Sequence, residues 1–319
     1  MSAAIAHPVD GRSVEIPNRL KEAEITIGRR TVRLTNLQKV FWPRLGLTKR
    51  DLLQYYADMA SVLFPHLCDR AMIMKRYPNG AGGECFFMKR APASRPDWLE
   101  TCPIEHASAG IIDFPIVQDL ASLLWTVNLG CIDLNPWYAT CDDVRRPDYL
   151  HFDLDPTPDA SFEQVIETAL VVRKALAELE IDSYAKTTGS RGIHIYVPIV
   201  RGPKQKDIWK FTKAIAKALE AQNPNLITAE YKVKKRPKAH VLVDYNQNMW
   251  GRTLASVYSV RPTARATVST PVTWDELERG IKIENFRMDN IPARVRAIGD
   301  LWKPLLQKRG RLRLERLTG

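Results

Sequence analysis

The run YLHFDLDP, residues 149–156, decides how the second half of this chain is read. Its residues alternate. Because positions two apart on a strand share a face, His151, Asp153 and, at the strand's end, Asp155 point one way. Leu150, Phe152 and Leu154 point the other. The segment Asp155-Pro156-Thr157-Pro158 then breaks the strand, since proline carries no amide donor for a ladder. Two carboxylates roughly 6.5–7 Å apart along one face are placed to converge on one divalent cation or to bridge two.

Working outward, two further strands offer polar groups in the same manner. In 193–199, His194 faces away from Ile193, Ile195, Val197 and Ile199. In 240–245, the apolar lead HVLV ends in Asp244, followed by Asn246-Gln247-Asn248. Hard oxygen ligands of this kind suit Mg²⁺ or Mn²⁺, and paired ions clamp the attacking and leaving oxygens of phosphoryl transfer. Ahead of His194, Thr188-Gly189-Ser190-Arg191-Gly192 reads as a phosphate-binding turn, because glycines let backbone N–H groups approach an anion. Taken singly these signals are weak: an isolated DxD is more often a solvated strand end, and a lone buried histidine is more often structural. Their combination favours a nucleotide site.

The rest of the second half supplies helices between these strands. Ser161-Phe162-Glu163-Gln164 is a capping box opening a helix to about residue 179, and a second helix spans about 206–221. Thr273 opens a short helix that ends at Gly280. In the first half, Thr48 caps a helix over LLQYYADMASVLF. Strands are expected at 31–34, 71–77, 85–89 and 111–117, with a helix over 119–128. Repeated strand–helix–strand units predict an α+β fold, a sheet with helices on one face. The expected organisation is a polar lead-in over 1–27, a catalytic region over 28–302 with a boundary near 140–148, and a basic tail over 303–319.

Charge points to a polyanionic partner. Lys and Arg number 47 against 36 Asp and Glu, a formal +11, and the excess is clustered. Residues 231–240 hold Lys232, Lys234, Lys235, Arg236 and Lys238 with no acid, 29–50 hold seven basic residues with no acid, and 303–319 are similarly basic. Such clusters bind nucleic acid through phosphate neutralisation and counterion release. The five cysteines are odd in number and never form CxxC, which argues against a disulfide framework or a thiolate zinc site. No apolar run approaches the ~20 residues of a membrane span, and no secretory h-region is evident. These features give the expectation of a soluble, cytoplasmic protein with no membrane partner.

HFDLDP (151–156), TTGSRGIHIYVP (187–198) and HVLVDYNQN (240–248) resemble, in order and spacing, the three motifs of archaeo-eukaryotic primase-type polymerases. TNLQKVFWPRLGLTKRDLLQYYADMA (35–60), KRYPNGAGGECFFMK (75–89) and YSVRPTARATVSTPVTWDEL (258–277) resemble specifically the polymerase domain of bacterial DNA ligase D. The resemblance covers residues 31 to 301. It implies a primase-type catalytic core of mixed and antiparallel sheets flanked by helices, in two tightly packed modules. It also implies a template-directed nucleotidyltransferase that adds ribo- or deoxyribonucleotides to a primer 3′-OH with two Mn²⁺ or Mg²⁺ ions, in nucleoid-associated repair.

By motif, Asp153 and Asp155 would bind both metals and Asp244 the ion that activates the primer hydroxyl. Thr188, Ser190, His194 and Arg261 would contact the incoming nucleoside triphosphate. Lys39 and Lys49 would grip a 5′-phosphate across a gap, Phe86 and Phe87 would stack on the template, and Lys232 and Lys235 would hold DNA. Thr188 replaces the serine usual in the family, adding a methyl group beside the nucleotide. Implied partners are gapped or broken DNA with a 5′-phosphate, a Ku-like end-binding protein and a separate ligase. Competing readings are a primase starting chains de novo, a non-catalytic module that bridges DNA ends, and a metal-dependent nuclease.

Overall fold

The structure is a computed structural model, and it describes residues 5–6, 14–106 and 109–316. The chain divides into two compact units that are not contiguous in sequence. One comprises 1–136, 255–268 and 287–297; the other comprises 137–254, 269–286 and 298–319.

The second unit is built on a six-stranded mixed sheet. Its order is Ile227–Thr228, Val241–Asp244, Tyr149–Pro156, Ile193–Pro198, Tyr184–Thr187, Pro271–Val272. The first pair is parallel and the rest antiparallel. The central strand runs through Pro156, two residues beyond the break read from the sequence. There Asp155 and Pro156 pair with Leu242 and Val241, and a proline at a strand end leaves only one ladder donor missing. Leu150, Phe152 and Leu154 are buried on one side; Tyr149, His151 and Asp153 are buried on the other as well. The polar face of this strand is therefore covered rather than open to water. Helices Phe162–Glu178 and Gln205–Gln222 pack on the sheet. The first carries the expected capping box, with Ser161 Oγ accepting from the Gln164 N–H and Gln164 reaching back to Ser161, worth about 1 kcal/mol.

The first unit holds helices Lys49–Leu67 and Leu120–Asn128, which pack against each other. Each opens on a capping box, at Thr48 and at Asp119. A three-stranded sheet has the order Cys131–Pro136, Met72–Arg76, Phe86–Met88. Further antiparallel pairs in the unit are Ala23–Ile27 with Arg30–Leu34, Val40–Trp42 with Leu47–Thr48, and Thr101–His106 with Gly110–Pro115. Strand Ala23–Ile27 falls within the stretch expected as a polar lead-in; Ala23 and Ile25 are its buried positions. Residues 1–4 and 7–13 of that lead-in lie outside the described residues. Segment 255–268 belongs here because two buried tyrosines hold it. Tyr55 donates to the Tyr258 carbonyl at 2.8 Å, and the Tyr56 hydroxyl accepts from the Val260 N–H at 3.0 Å.

Three cysteines, Cys68, Cys85 and Cys131, are free, while Cys102 and Cys141 are disulfide-bonded. The basic C-terminal segment, as far as it is described, is packed rather than free. Leu305 and Leu314 are buried, Arg311 donates to the carbonyls of Asp148, Ile199 and Leu305, and Leu312 bridges to Ile199. Residues 317–319 lie outside the described residues. Among the described residues no helix is long and apolar enough to cross a membrane.

Candidate active site

Antiparallel pairing on both sides of the central strand gathers the acidic residues. Asp153 stands opposite His194 on one neighbouring strand and opposite Asp244 on the other. His194 Nε2 lies 3.1 Å from Asp153 Oδ1. Asp153 and His194 are buried, while Asp155 and Asp244 are part-exposed. Crowding has a charge signature. The Asp153 carboxylate, burial and the Asp244 carboxylate together push Asp155 up to about 7, as like charges in one site must.

Among the described residues no three acidic, imidazole or thiol groups already stand as a closed metal cage. Asp153 is turned to His194, and Asp244 accepts from the Asn246 N–H at 2.8 Å and the Gln247 amide at 3.3 Å. The donor set nevertheless fits a divalent ion in chemistry. It consists of three hard carboxylates on two adjoining strands, crowded enough that Asp155 is pushed up.

Behind the carboxylates the site is lined by rings. His151 is fully buried and stacks on Tyr196, with Tyr138 on its other flank. Burial above all, then the neighbouring His194 and Lys186, hold it well below the usual imidazole range, and so neutral.

The turn 188–192 is knitted by its own threonine. Thr188 Oγ1 accepts from the N–H groups of Ser190 at 3.1 Å and Gly192 at 3.0 Å. The Thr188 N–H donates to the Gly192 carbonyl at 2.9 Å. Two amides expected to be available to an anion are thus engaged by the Thr188 hydroxyl, leaving the side chains of Ser190 and Arg191 exposed at the turn's outer edge. Gly189 has a left-handed φ of 66°. At Gly192 a Cβ would lie 2.2 Å from the Leu154 carbonyl oxygen and 3.3 Å from Asp155 Oδ1. Glycine is what lets the turn close against the carboxylate strand.

In the first unit, Lys39 and Lys49 meet in one cleft of about 230 Å³, lined also by Asn36, Arg76 and Asn128. Three cations face it and no carboxylate does. Lys49 is buried and its Nζ donates to the Thr35 carbonyl at 2.7 Å; Arg76 donates to the Leu129 carbonyl at 2.7 Å. Burial, then the charges of Lys39 and Arg76, lower Lys49 to about 8. Arg76 and Asn36 went unremarked in the sequence because single basic and amide residues carry no spacing signal. Next to this cleft, Phe86 and Phe87 are 44% and 65% exposed. Neither is core. Arg76 lies over the Phe86 ring at 5.1 Å and Lys75 over Phe87 at 5.6 Å.

Arg261 belongs to this unit too, its Nε 3.7 Å from Asp133 Oδ2, which also faces Lys75 at 3.8 Å. Asp133 is buried in a strand whose six residues are all buried, so alternation could not single it out. Lys232 precedes and Lys235 ends the turn Val233–Lys235 between strands Ile227–Thr228 and Val241–Asp244, and both side chains are exposed. Tyr231 and Val233 beside them are exposed as well.

Comparison with known proteins finds relatives along most of the chain. Residues 48–302 match the family described as LigD, primase-polymerase domain. The multifunctional non-homologous end joining protein LigD of Mycolicibacterium smegmatis is 34% identical over 276 residues, 86% of this chain and 36% of that protein. The multifunctional non-homologous end joining DNA repair protein LigD of Mycobacterium tuberculosis is 32% identical over 290 residues, 86% of this chain and 37% of that protein. This chain therefore spans about a third of the length of the curated relatives it matches. The solved polymerase domain of Mycobacterium tuberculosis ligase D in complex with DNA superposes with a TM-score of 0.79 at 30% identity. That match covers 86% of this chain and 98% of that one.

Proposed function

Because the chain belongs to the LigD primase-polymerase domain family, and is with it a nucleotidyltransferase, we propose that it extends a primer 3′-OH along a DNA template. Its substrates are short gaps and broken ends that carry a downstream 5′-phosphate, in non-homologous end joining. The observation that carries this reading is the three-carboxylate cluster of Asp153, Asp155 and Asp244, close enough that Asp153, burial and Asp244 push Asp155 up.

Asp153, Asp155 and Asp244 would hold two divalent ions, Mn²⁺ or Mg²⁺. When bound, such ions lower the pKa of the attacking hydroxyl and neutralise charge on the leaving pyrophosphate. The chain's own groups do the rest. His194 presents a ring nitrogen to the triphosphate once Asp153 turns away from it. Ser190, with Thr188 ordering its turn, borders the phosphates. Phe86 and Phe87 stack on template bases, a sequence-tolerant contact, while Lys232 and Lys235 hold backbone phosphates as point charges. Either ribo- or deoxyribonucleotides serve as substrate. A Ku-like protein and a separate DNA ligase are the partners that such a step calls for, since ends must be held before filling and sealed afterwards.

The cleft of Lys39, Lys49 and Arg76 is the seat of the 5′-phosphate, and Lys49 makes its grip pH-dependent. With no anion bound, Lys49 sits near 8 rather than its ordinary 10.5. The folded state thus binds fewer protons than the unfolded one between these values. Its burden on stability is complete below about pH 8 and lifts as pH rises towards 10.5. A bound phosphate dianion favours the ammonium, so binding takes up a proton near pH 8. The preference for 5′-phosphorylated over 5′-hydroxyl gapped DNA, read by fluorescence anisotropy, should fall by about threefold to tenfold from pH 7 to pH 9. A preference constant across that range would remove Lys49 from the phosphate site.

A further inference from the structure

Lys186 is fully buried in strand Tyr184–Thr187, directly opposite His194 in the antiparallel register. Its Nζ lies 2.8 Å from His194 Nδ1, hydrogen-bonds the Ser269 hydroxyl, and sits 5.8 Å from the centre of the Trp302 ring. The Ser269 hydroxyl in turn donates to the Thr187 carbonyl at 3.0 Å, so its lone pairs are what face Lys186. On the far side of the imidazole, Nε2 lies 3.1 Å from Asp153 Oδ1. An unbroken line therefore runs from ammonium through imidazole to carboxylate, buried at every member.

An ammonium has three N–H donors and no lone pair, whereas a neutral imidazole has one donor and one acceptor. Nδ1 facing Lys186 must accept, which leaves the ring proton on Nε2. A doubly protonated ring would set an N–H against the ammonium. We infer that Lys186 is a positioning residue that fixes His194 as the neutral Nε2–H tautomer, so that a single N–H donor is always aimed at the acidic site. Nε2 stands 3.1 Å from Asp153 Oδ1 in the free protein, and its N–H donates to an oxygen of the incoming triphosphate when nucleotide is bound. Burying an ammonium here is costly. Its contacts with Nδ1, the Ser269 hydroxyl and the Trp302 face offset that cost.

The inference rests on the polymerase reading for its nucleotide half alone, and the test separates the two. In ligand-free protein labelled with ¹⁵N-histidine, the His194 signals, assigned by their absence from His194→Gln, should show an unprotonated Nδ1 and a protonated Nε2. A proton on Nδ1 would overturn the assignment whether or not the protein polymerises. In primer extension, Lys186→Met should raise the nucleotide KM by about tenfold or more with a smaller change in kcat. In a His194→Gln background, where the amide donates without needing a tautomer, the same substitution should change KM less than about twofold. Equal effects in both backgrounds would reduce Lys186 to a packing residue. Should Lys186→Met not fold, the wild-type spectrum decides alone. If wild-type protein extends no primer, the polymerase reading fails while the spectrum still decides the tautomer.

Discussion

Asp153→Ala is expected to lower nucleotide addition by at least about 10³-fold while leaving the protein folded. Asp153 is the shared neighbour of His194 and Asp244, and its charge is the largest influence on Asp155. Removing it takes away the central carboxylate of the cluster and drops Asp155 back towards its ordinary range. Stability should hold or rise, because the substitution relieves repulsion among crowded carboxylates. The lost side chain is buried, yet only two carboxylate oxygens and one carbon are removed. Single-nucleotide extension in Mn²⁺, read beside a thermal melt, checks both halves. Extension at near wild-type rate would dissolve the mechanism, and an unfolded variant would make Asp153 a structural residue.

Gly192→Ala carries the second large effect, and it acts through shape. An added Cβ would lie 2.2 Å from the Leu154 carbonyl oxygen, a backbone atom that cannot swing aside as a side chain can. Either the turn lifts from the central strand or that strand shifts. Both alter the distance between Asp155 and the Thr188–Ser190 region of the turn. The expected cost is about 3 kcal/mol in unfolding free energy, together with loss of nucleotide binding under conditions where the variant stays folded. Denaturant titration and nucleotide titration measure the two terms. By contrast, Gly82 has open space around its absent Cβ. Wild-type stability and nucleotide affinity in Gly192→Ala would show that the close approach of turn and strand is not needed.

The elements that carry the site were legible because each is bounded by strong local chemistry. YLHFDLDP alternates and forms a strand, though one that runs on through Pro156, Ser161 and Gln164 form the capping box as read, and the turn 188–192 separates two apolar strands. What stayed hidden has physical reasons. Strand Cys131–Pro136 is buried at every position, so Asp133 interrupts an apolar run without a period to betray it. Its role opposite Lys75 and Arg261 depends on pairings distant in sequence. Strand Ala23–Ile27 ends a stretch rich in polar residues, and only Ala23 and Ile25 of its five positions are buried. A linear reading places one boundary near 140–148, whereas segments 255–268 and 287–297 return to the first unit. Such returns are set by buried side-chain bonds such as that of Tyr55 to Tyr258, which no local pattern encodes. Lys186 reads from sequence as one more lysine; only the register opposite His194 gives it meaning.

The most direct test of the central claim is nucleotide incorporation at a one-nucleotide gap, with and without the downstream 5′-phosphate, in wild-type protein and Lys49→Ala. Filling stimulated by the phosphate in wild type, with the stimulation lost in Lys49→Ala and basal extension retained, is the expected result. Incorporation indifferent to the phosphate would contradict gap filling, and no incorporation on any primed template would contradict polymerisation itself.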